Sequence, residues 1–144
     1  MKGTLHQNIK DVLGLSPAVR GANTYDSAII DTAGFDELSV KLLIGTMTAT
    51  GTARVKLQHA DVNASDSMAD TDPLIQGPLF NEAVVDKSDT LQLINVDLRN
   101  VKGLKRFVRA RLTTAEANVA CALMFSLGGQ KYLPVQQAEA VHSV

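Results

Sequence analysis

Few residues of this chain are of a type and spacing that could support chemistry. The histidines are His6, His59 and His142, and the single cysteine is Cys121. Zinc needs four ligands in short paired spacings, and there is neither a His-x-x-x-His nor a Cys-x-x-Cys pair. Cys121 sits in Ala120-Cys121-Ala122, inside the most apolar stretch of the chain. A thiol there acts as a small hydrophobe, since a nucleophile needs a nearby base. The best cation-binding pattern is Asp61-Val62-Asn63-Ala64-Ser65-Asp66, followed by Asp70 and Asp72. Asp61, Asn63 and Ser65 fall at the first oxygen positions of a calcium loop and Asp72 at the twelfth. However, Asp66 occupies the sixth position, where such loops need glycine, and no helices flank the run. The bland reading is a solvated acidic loop whose Asp, Asn and Ser side chains cap turns.

A second constellation is basic: Lys102, Lys105, Arg106, Arg109 and Arg111. On a strand, Arg109 and Arg111 share a face with Lys105 and Phe107, while Val108, Ala110 and Leu112 face the core. Lys105, Arg106, Arg109 and Arg111 are therefore the candidate partner-binding residues, a patch suited to acidic side chains on another protein. The alternative is the polar solvent face of a sheet. Nucleic acid fits the patch less well, because aromatic stacking partners are scarce. The sequence has no Gly-x-Gly-x-x-Gly, no Walker-type Gly-Lys-Ser/Thr and no Gly-x-Ser-x-Gly elbow. The expectation is a non-enzymatic protein with no cofactor and no metal.

Composition narrows the class further. A chain of 144 residues is one domain by length, and long enough to bury a core without disulfides. Aromatics are 4% with no Trp, so the core must rest on Val, Leu, Ile and Ala. Fourteen basic and fifteen acidic residues leave a net charge of −1, which disfavours nucleic acid or an anionic membrane as main partner. Met1-Lys2-Gly3-Thr4 leads into no apolar h-region, so no signal peptide is expected, and no apolar run reaches the ~18 residues of a membrane span. The expectation is a protein made and kept in a cytoplasm, or assembled there into something larger.

The elements that must position these residues are strands. Leu38, Val40, Leu42 and Ile44 alternate with Glu37, Ser39, Lys41 and Leu43. Ala53, Val55 and Leu57 alternate with Arg54, Lys56 and Gln58, and a Gly/Thr-rich connector suggests that the two stretches form a hairpin. Ser27 to Thr32, Leu91 to Leu98 and Lys105 to Thr113 are further strands, and Leu79-Phe80 is a candidate edge strand. Val119 to Leu127 is apolar on both faces and reads as a central or covered strand. Residues 1–25 are poorly patterned: Gly14 and Pro17 interrupt a rough apolar spacing. They read as an N-terminal arm, residues 26–130 as the domain, and 131–144 as a C-terminal tail. The fold class is all-β, an antiparallel β-sandwich, jelly-roll-like or Greek-key, with extended N- and C-terminal arms.

The order of these segments carries a resemblance. Asp31-Thr32-Ala33-Gly34-Phe35-Asp36-Glu37-Leu38 leads into a strand, then come a Gly/Thr loop, Val55-Lys56-Leu57-Gln58-His59-Ala60 and an acidic loop. Later come Asp97-Leu98, Lys105-Arg106-Phe107-Val108-Arg109-Ala110-Arg111-Leu112-Thr113, an apolar strand, and Tyr132-Leu133-Pro134-Val135. This order resembles that of tailed-bacteriophage capsid decoration, or cement, proteins over about residues 27–135. The resemblance implies a virion protein on the capsid exterior that binds the major capsid protein and stabilises contacts between its subunits. It also implies self-association as a dimer or trimer, and no cofactor. Competing readings are a head-completion, connector or tail protein of the particle, a carbohydrate-binding module, and a hydrolase using the 61–72 loop. Glycan sites usually stack sugars on exposed aromatics, which are few here.

Overall fold

Period-two alternation forces a strand to present one apolar face, and two sheets bury such faces by stacking. The computed structural model describes residues 8–71, 84–85, 88–101, 103–116 and 118–129. Ten strands fill it: β1 (Lys10–Arg20), β2 (Asn23–Asp26), β3 (Ile30–Asp31), β4 (Glu37–Met47), β5 (Thr52–Ala60), β6 (Ala69–Asp70), β7 (Val84–Val85), β8 (Thr90–Asp97), β9 (Phe107–Ala115) and β10 (Val119–Gly128). A single 3-10 turn, Ser65–Ser67, interrupts the β5–β6 connection.

The chain is an antiparallel β-sandwich of a four-stranded sheet, β1-β10-β4-β8, and a six-stranded sheet, β2-β9-β5-β6. In the second sheet β3 extends the β2 edge along β9, and β7 extends the β6 edge along β5. The pairings are nested: β1 with β10, β2 and β3 with β9, β4 with β8, β5 with β6 and β7. The chain is thus one long ribbon doubled back on itself. The β10–β4 and β9–β5 ladders roll the ribbon up. This is jelly-roll topology.

The core lies between the sheets. Leu38, Val40, Leu42 and Ile44 of β4 and Val119, Cys121, Leu123, Phe125 and Leu127 of β10 face Ala53, Val55 and Leu57 of β5 and Val108, Ala110 and Leu112 of β9. All are buried. Full burial of each large aliphatic side chain contributes about 1.5–3 kcal/mol. β10 has a neighbour on both edges, and its outward residues Ala120, Ala122 and Met124 are half-buried.

Two sequence expectations need correction. β4 and β5 are not a hairpin: they lie in different sheets, and the 48–51 turn arches between them. Their alternation is that of partners facing across the core, which periodicity alone does not distinguish from partners in one sheet. Residues 10–25, read as an arm, are strands of the sandwich. The β1–β10 register shifts between Leu13 and Leu15 and again between Leu15 and Ala18. These bulges, around Gly14 and Pro17, break the alternation that would have announced the strand. The 131–144 tail and the Leu79-Phe80 strand lie outside the described residues.

Gly14 is required by close approach. A Cβ there would lie 2.6 Å from Leu123 Cδ2 and 2.8 Å from Phe125 Cε2. Both side chains are fully buried and cannot swing aside. Gly14→Ala is expected to destabilise the fold by about 1–3 kcal/mol, read as a lower urea midpoint at unchanged slope.

Candidate interaction surface

Strand β9 carries the basic residues and β5 lies beside it, so the outer face of the six-stranded sheet holds most of the charge. Lys56 stands opposite Arg111, and Gln58 opposite Arg109. Arg111 donates Nε to Asp26 Oδ1 at 2.7 Å and Nη2 to Asp26 Oδ2 at 3.0 Å. Arg109 also reaches Asp26, 3.4 Å from Oδ2. It donates Nε to Gln58 Oε1 at 2.8 Å and Nη1 to Ser65 Oγ at 2.6 Å. Gln58 Nε2 donates to Asp70 Oδ1 at 2.8 Å, and Lys56 Nζ lies 3.5 Å from Asp70 Oδ2. One polar network therefore crosses four strands, from Asp26 on β2 to Asp70 on β6. The arginines hold the Asp26 carboxyl below its usual range, chiefly through the Arg111 hydrogen bond against a smaller effect of burial. Asp70 is lowered first by its bond to Gln58.

Arg109 sits on the outer face yet is only 4% exposed. The residue that alternation points to solvent is covered, and the 3-10 turn supplies the Ser65 hydroxyl that binds it. A buried guanidinium is tolerable only when its donors are met, as Asp26, Gln58 and Ser65 meet them here.

Lys105 and Arg106 lie before β9, at the end of the sandwich where the β3–β4, β5–β6 and β8–β9 connections meet. Lys105 Nζ is 2.9 Å from Asp61 Oδ2. Arg106 donates Nε and Nη2 to the two oxygens of Asp31 at 2.8 and 2.7 Å. Its guanidinium also lies over the Phe107 ring, 5.0 Å from the centroid. The Lys105 backbone N–H donates to His59 Nδ1 at 3.2 Å. Burial, then the Lys105 charge, pushes His59 below its ordinary value, against the pull of Asp61. Asp31 is lowered chiefly by its bond to Arg106.

All four candidate partner-binding residues thus face carboxylates of their own chain. They belong to one sheet face and one end of the sandwich: Arg109 and Arg111 share Asp26 of β2, Arg106 is tied to Asp31 of β3, and Lys105 to Asp61 of the β5–β6 connection. The calcium-like pattern is drawn apart in the same way: Asp61 turns to Lys105, Ser65 to Arg109 and Asp70 to Gln58. Among the described residues, no three of His, Cys, Asp and Glu gather to hold a metal ion. Asp72, His6 and His142 lie outside the described residues. Cys121 is buried, and burial raises its thiol pKa against the opposing charge and hydrogen bond of Arg20. A reactive cysteine is shifted in the opposite direction.

The other sheet carries a groove of about 570 Å³ on its outer face, among Glu37, Ser39, Lys41, Asn95, Asp97 and Ser126. Lys41 Nζ donates to Ser126 Oγ at 2.8 Å, and Ser126 Oγ donates in turn to Asp11. Beside the groove the same face turns apolar: Leu13, Leu43, Leu91 and Leu93 are each more than two-fifths exposed. Sequence reading missed the groove and also the roles of Asp26, Gln58 and Ser65. Opposite-charge pairs across strands are a recognisable signal, but only once the β2–β9 register is known.

No protein-family model matches the sequence, and no curated protein matches it. Among solved structures, a chain in the structure of infectious bursal disease virus, Gx strain, shares the fold with a TM-score of 0.51 at 9% identity. The match covers 88% of this chain and 33% of that one, so this chain spans about a third of its length. At this identity the likeness is one of fold.

Two predictions follow from the charge network. Asp26→Ala strands the buried Arg109 and is expected to cost about 2–3 kcal/mol, whereas Asp31→Ala and Asp61→Ala remove exposed pairs and cost under about 1 kcal/mol. Urea unfolding of the three variants reads the contrast. His59 binds a proton less readily folded than unfolded. Its stabilising contribution is complete above the unfolded value near 6.5 and declines as pH falls through that value towards the lower folded one. The melting temperature is expected to fall between pH 7 and 5, and His59→Gln should remove part of that fall. An identical fall in the variant would contradict the assignment.

Proposed function

We propose that this chain is a non-enzymatic structural protein of a virus particle, specifically a decoration protein of a tailed phage. It binds the outer surface of the capsid and stabilises contacts between major capsid subunits, and it self-associates. The observation that carries the reading is the jelly roll, a fold shared with a chain in the structure of infectious bursal disease virus, Gx strain. Jelly rolls also build lectin and other binding domains, so fold alone does not decide function. Three features of this chain favour assembly. Its thiol is buried, and each of the four basic candidates lies within 3.4 Å of an internal carboxylate, Arg109 and Arg111 sharing Asp26. Such pairs leave little positive field for nucleic acid or an anionic membrane. The exposed leucines of the four-stranded sheet give one outer face the apolar character of a surface that meets another protein.

Mass spectrometry and reconstruction of purified virions test the reading. The expected result is a copy number in proportion to the major capsid protein, external density fitted by the sandwich, and heads that lose heat resistance when the chain is left out. Only a few copies at a vertex or tail would instead assign it to a head-completion, connector or tail component. Absence from virions, with no binding to empty heads, would overturn the proposal.

A further inference from the structure

A sandwich has exposed sheet edges, and each can recruit another strand unless something prevents it. Three of the four edges here are blunted. β1 carries Pro17, Lys10 and Arg20 and two register shifts. One edge of the six-stranded sheet is made of β2 and β3, four and two residues long, and the other, among the described residues, of β6 and β7, two residues each. β8 differs on every count. It has eight residues, no Pro, no Lys and no Arg, and its only charge is the terminal Asp97. Its register with β4 runs without a shift from Glu37↔Asp97 to Ile44↔Thr90. Among the described residues, no strand pairs with its other edge from Leu91 to Asp97.

The outer face beside that edge is apolar. Leu91 and Leu93 are 53% and 43% exposed, and Leu91 stands opposite Leu43, itself 42% exposed. Leu93 stands opposite Lys41 on β4, and that row continues to Met124 and Leu13 across β10 and β1. A regular open edge flanked by a leucine stripe calls for an added strand that brings apolar residues to the same face.

We propose that the occupant is a second copy of this chain. Two β8 strands pair antiparallel about a two-fold axis perpendicular to the sheet, with Leu91 of one copy opposite Leu93 of the other. Residues directly opposite in an antiparallel pair point to the same face, so this register continues the leucine stripe across the seam. It is self-complementary, as a two-fold contact requires. The two Asp97 side chains fall outside the paired stretch, and a net charge of −1 per copy opposes association little. The result is one eight-stranded sheet across two sandwiches. The inference rests on self-association as part of the proposed function, and it commits that association to a dimer and to this edge.

Sedimentation velocity of the full chain, with far-UV circular dichroism, tests it. The wild type is expected to be a dimer. Leu93→Lys would place a charge against leucine at the seam and should weaken the dimer by roughly tenfold or more, with the strand spectrum retained. Leu13→Lys, on the same face but at the far strand, should leave the dimer intact. A Leu91→Cys, Leu93→Cys double variant should oxidise to a covalent dimer, a readout that does not depend on how well Leu93→Lys folds. A monomeric or trimeric wild type would overturn the proposal, as would a dimer that neither tolerates the cross-link nor responds to Leu93→Lys. Binding of each protein to empty heads is scored separately, so loss of the β8 contact and loss of the capsid role are distinguishable.

Discussion

Strand β10 holds the molecule together. It pairs with β1 on one edge and closes the roll against β4 on the other, and its inward row from Val119 to Leu127 forms the floor of the core. β4 is likewise paired on both edges, with β10 and β8, so these two strands form the middle of the four-stranded sheet. A strand with two sheet neighbours and little solvent on either face must be apolar nearly throughout. Bulky Phe125 sits against Gly14, so the bulge in β1 and the packing of β10 are one solution to one steric problem. Because β10 is among the last strands in the chain and β1 the first, the sheet cannot be completed until distant segments meet. Such non-local pairing is the slow kind.

Charge is arranged differently from apolar surface. The six-stranded sheet places its acids and bases in register, so that neighbouring strands neutralise one another and the β5–β6 connection is drawn down over Arg109. The network fixes where the short edge strands lie, since β2 and β6 have little hydrophobic area with which to hold themselves. The four-stranded sheet instead has one end with a polar groove and an outer face of leucines. The two faces of the sandwich therefore have different characters: one is chemically satisfied from within, and the other leaves apolar area in contact with water.

Much of this was legible from the residues. β4, β5 and β9 alternate with apolar residues inward, β10 reads as a covered strand from its apolar composition, and Val108, Ala110 and Leu112 face the core as their spacing requires. What escaped the sequence did so for identifiable reasons. β1 is hidden because its bulges change which residues face inward midway along the strand. The partner of β4 is hidden because period two reports a face and not a neighbour. The burial of Arg109 is hidden because the covering residues, 61–70, are polar and carry no signal of packing. The groove among Lys41, Asn95 and Ser126 draws on three strands that lie far apart in the chain.

The doubled ribbon also sets how the molecule bears load. Lys10 at the start of β1 lies opposite Leu127 near the end of β10, so these two strand ends sit side by side at one end of the sandwich. Tension between those two points does not shear the ladder along its length. It peels β1 from β10 rung by rung, beginning at Lys10 and soon reaching the bulges near Gly14 and Pro17. Tension that enters through the sides of the sandwich is instead shared by the long β4–β10 and β5–β9 ladders at once. A tether attached at those ends would thus be mechanically soft, while the body between the sheets would stay stiff.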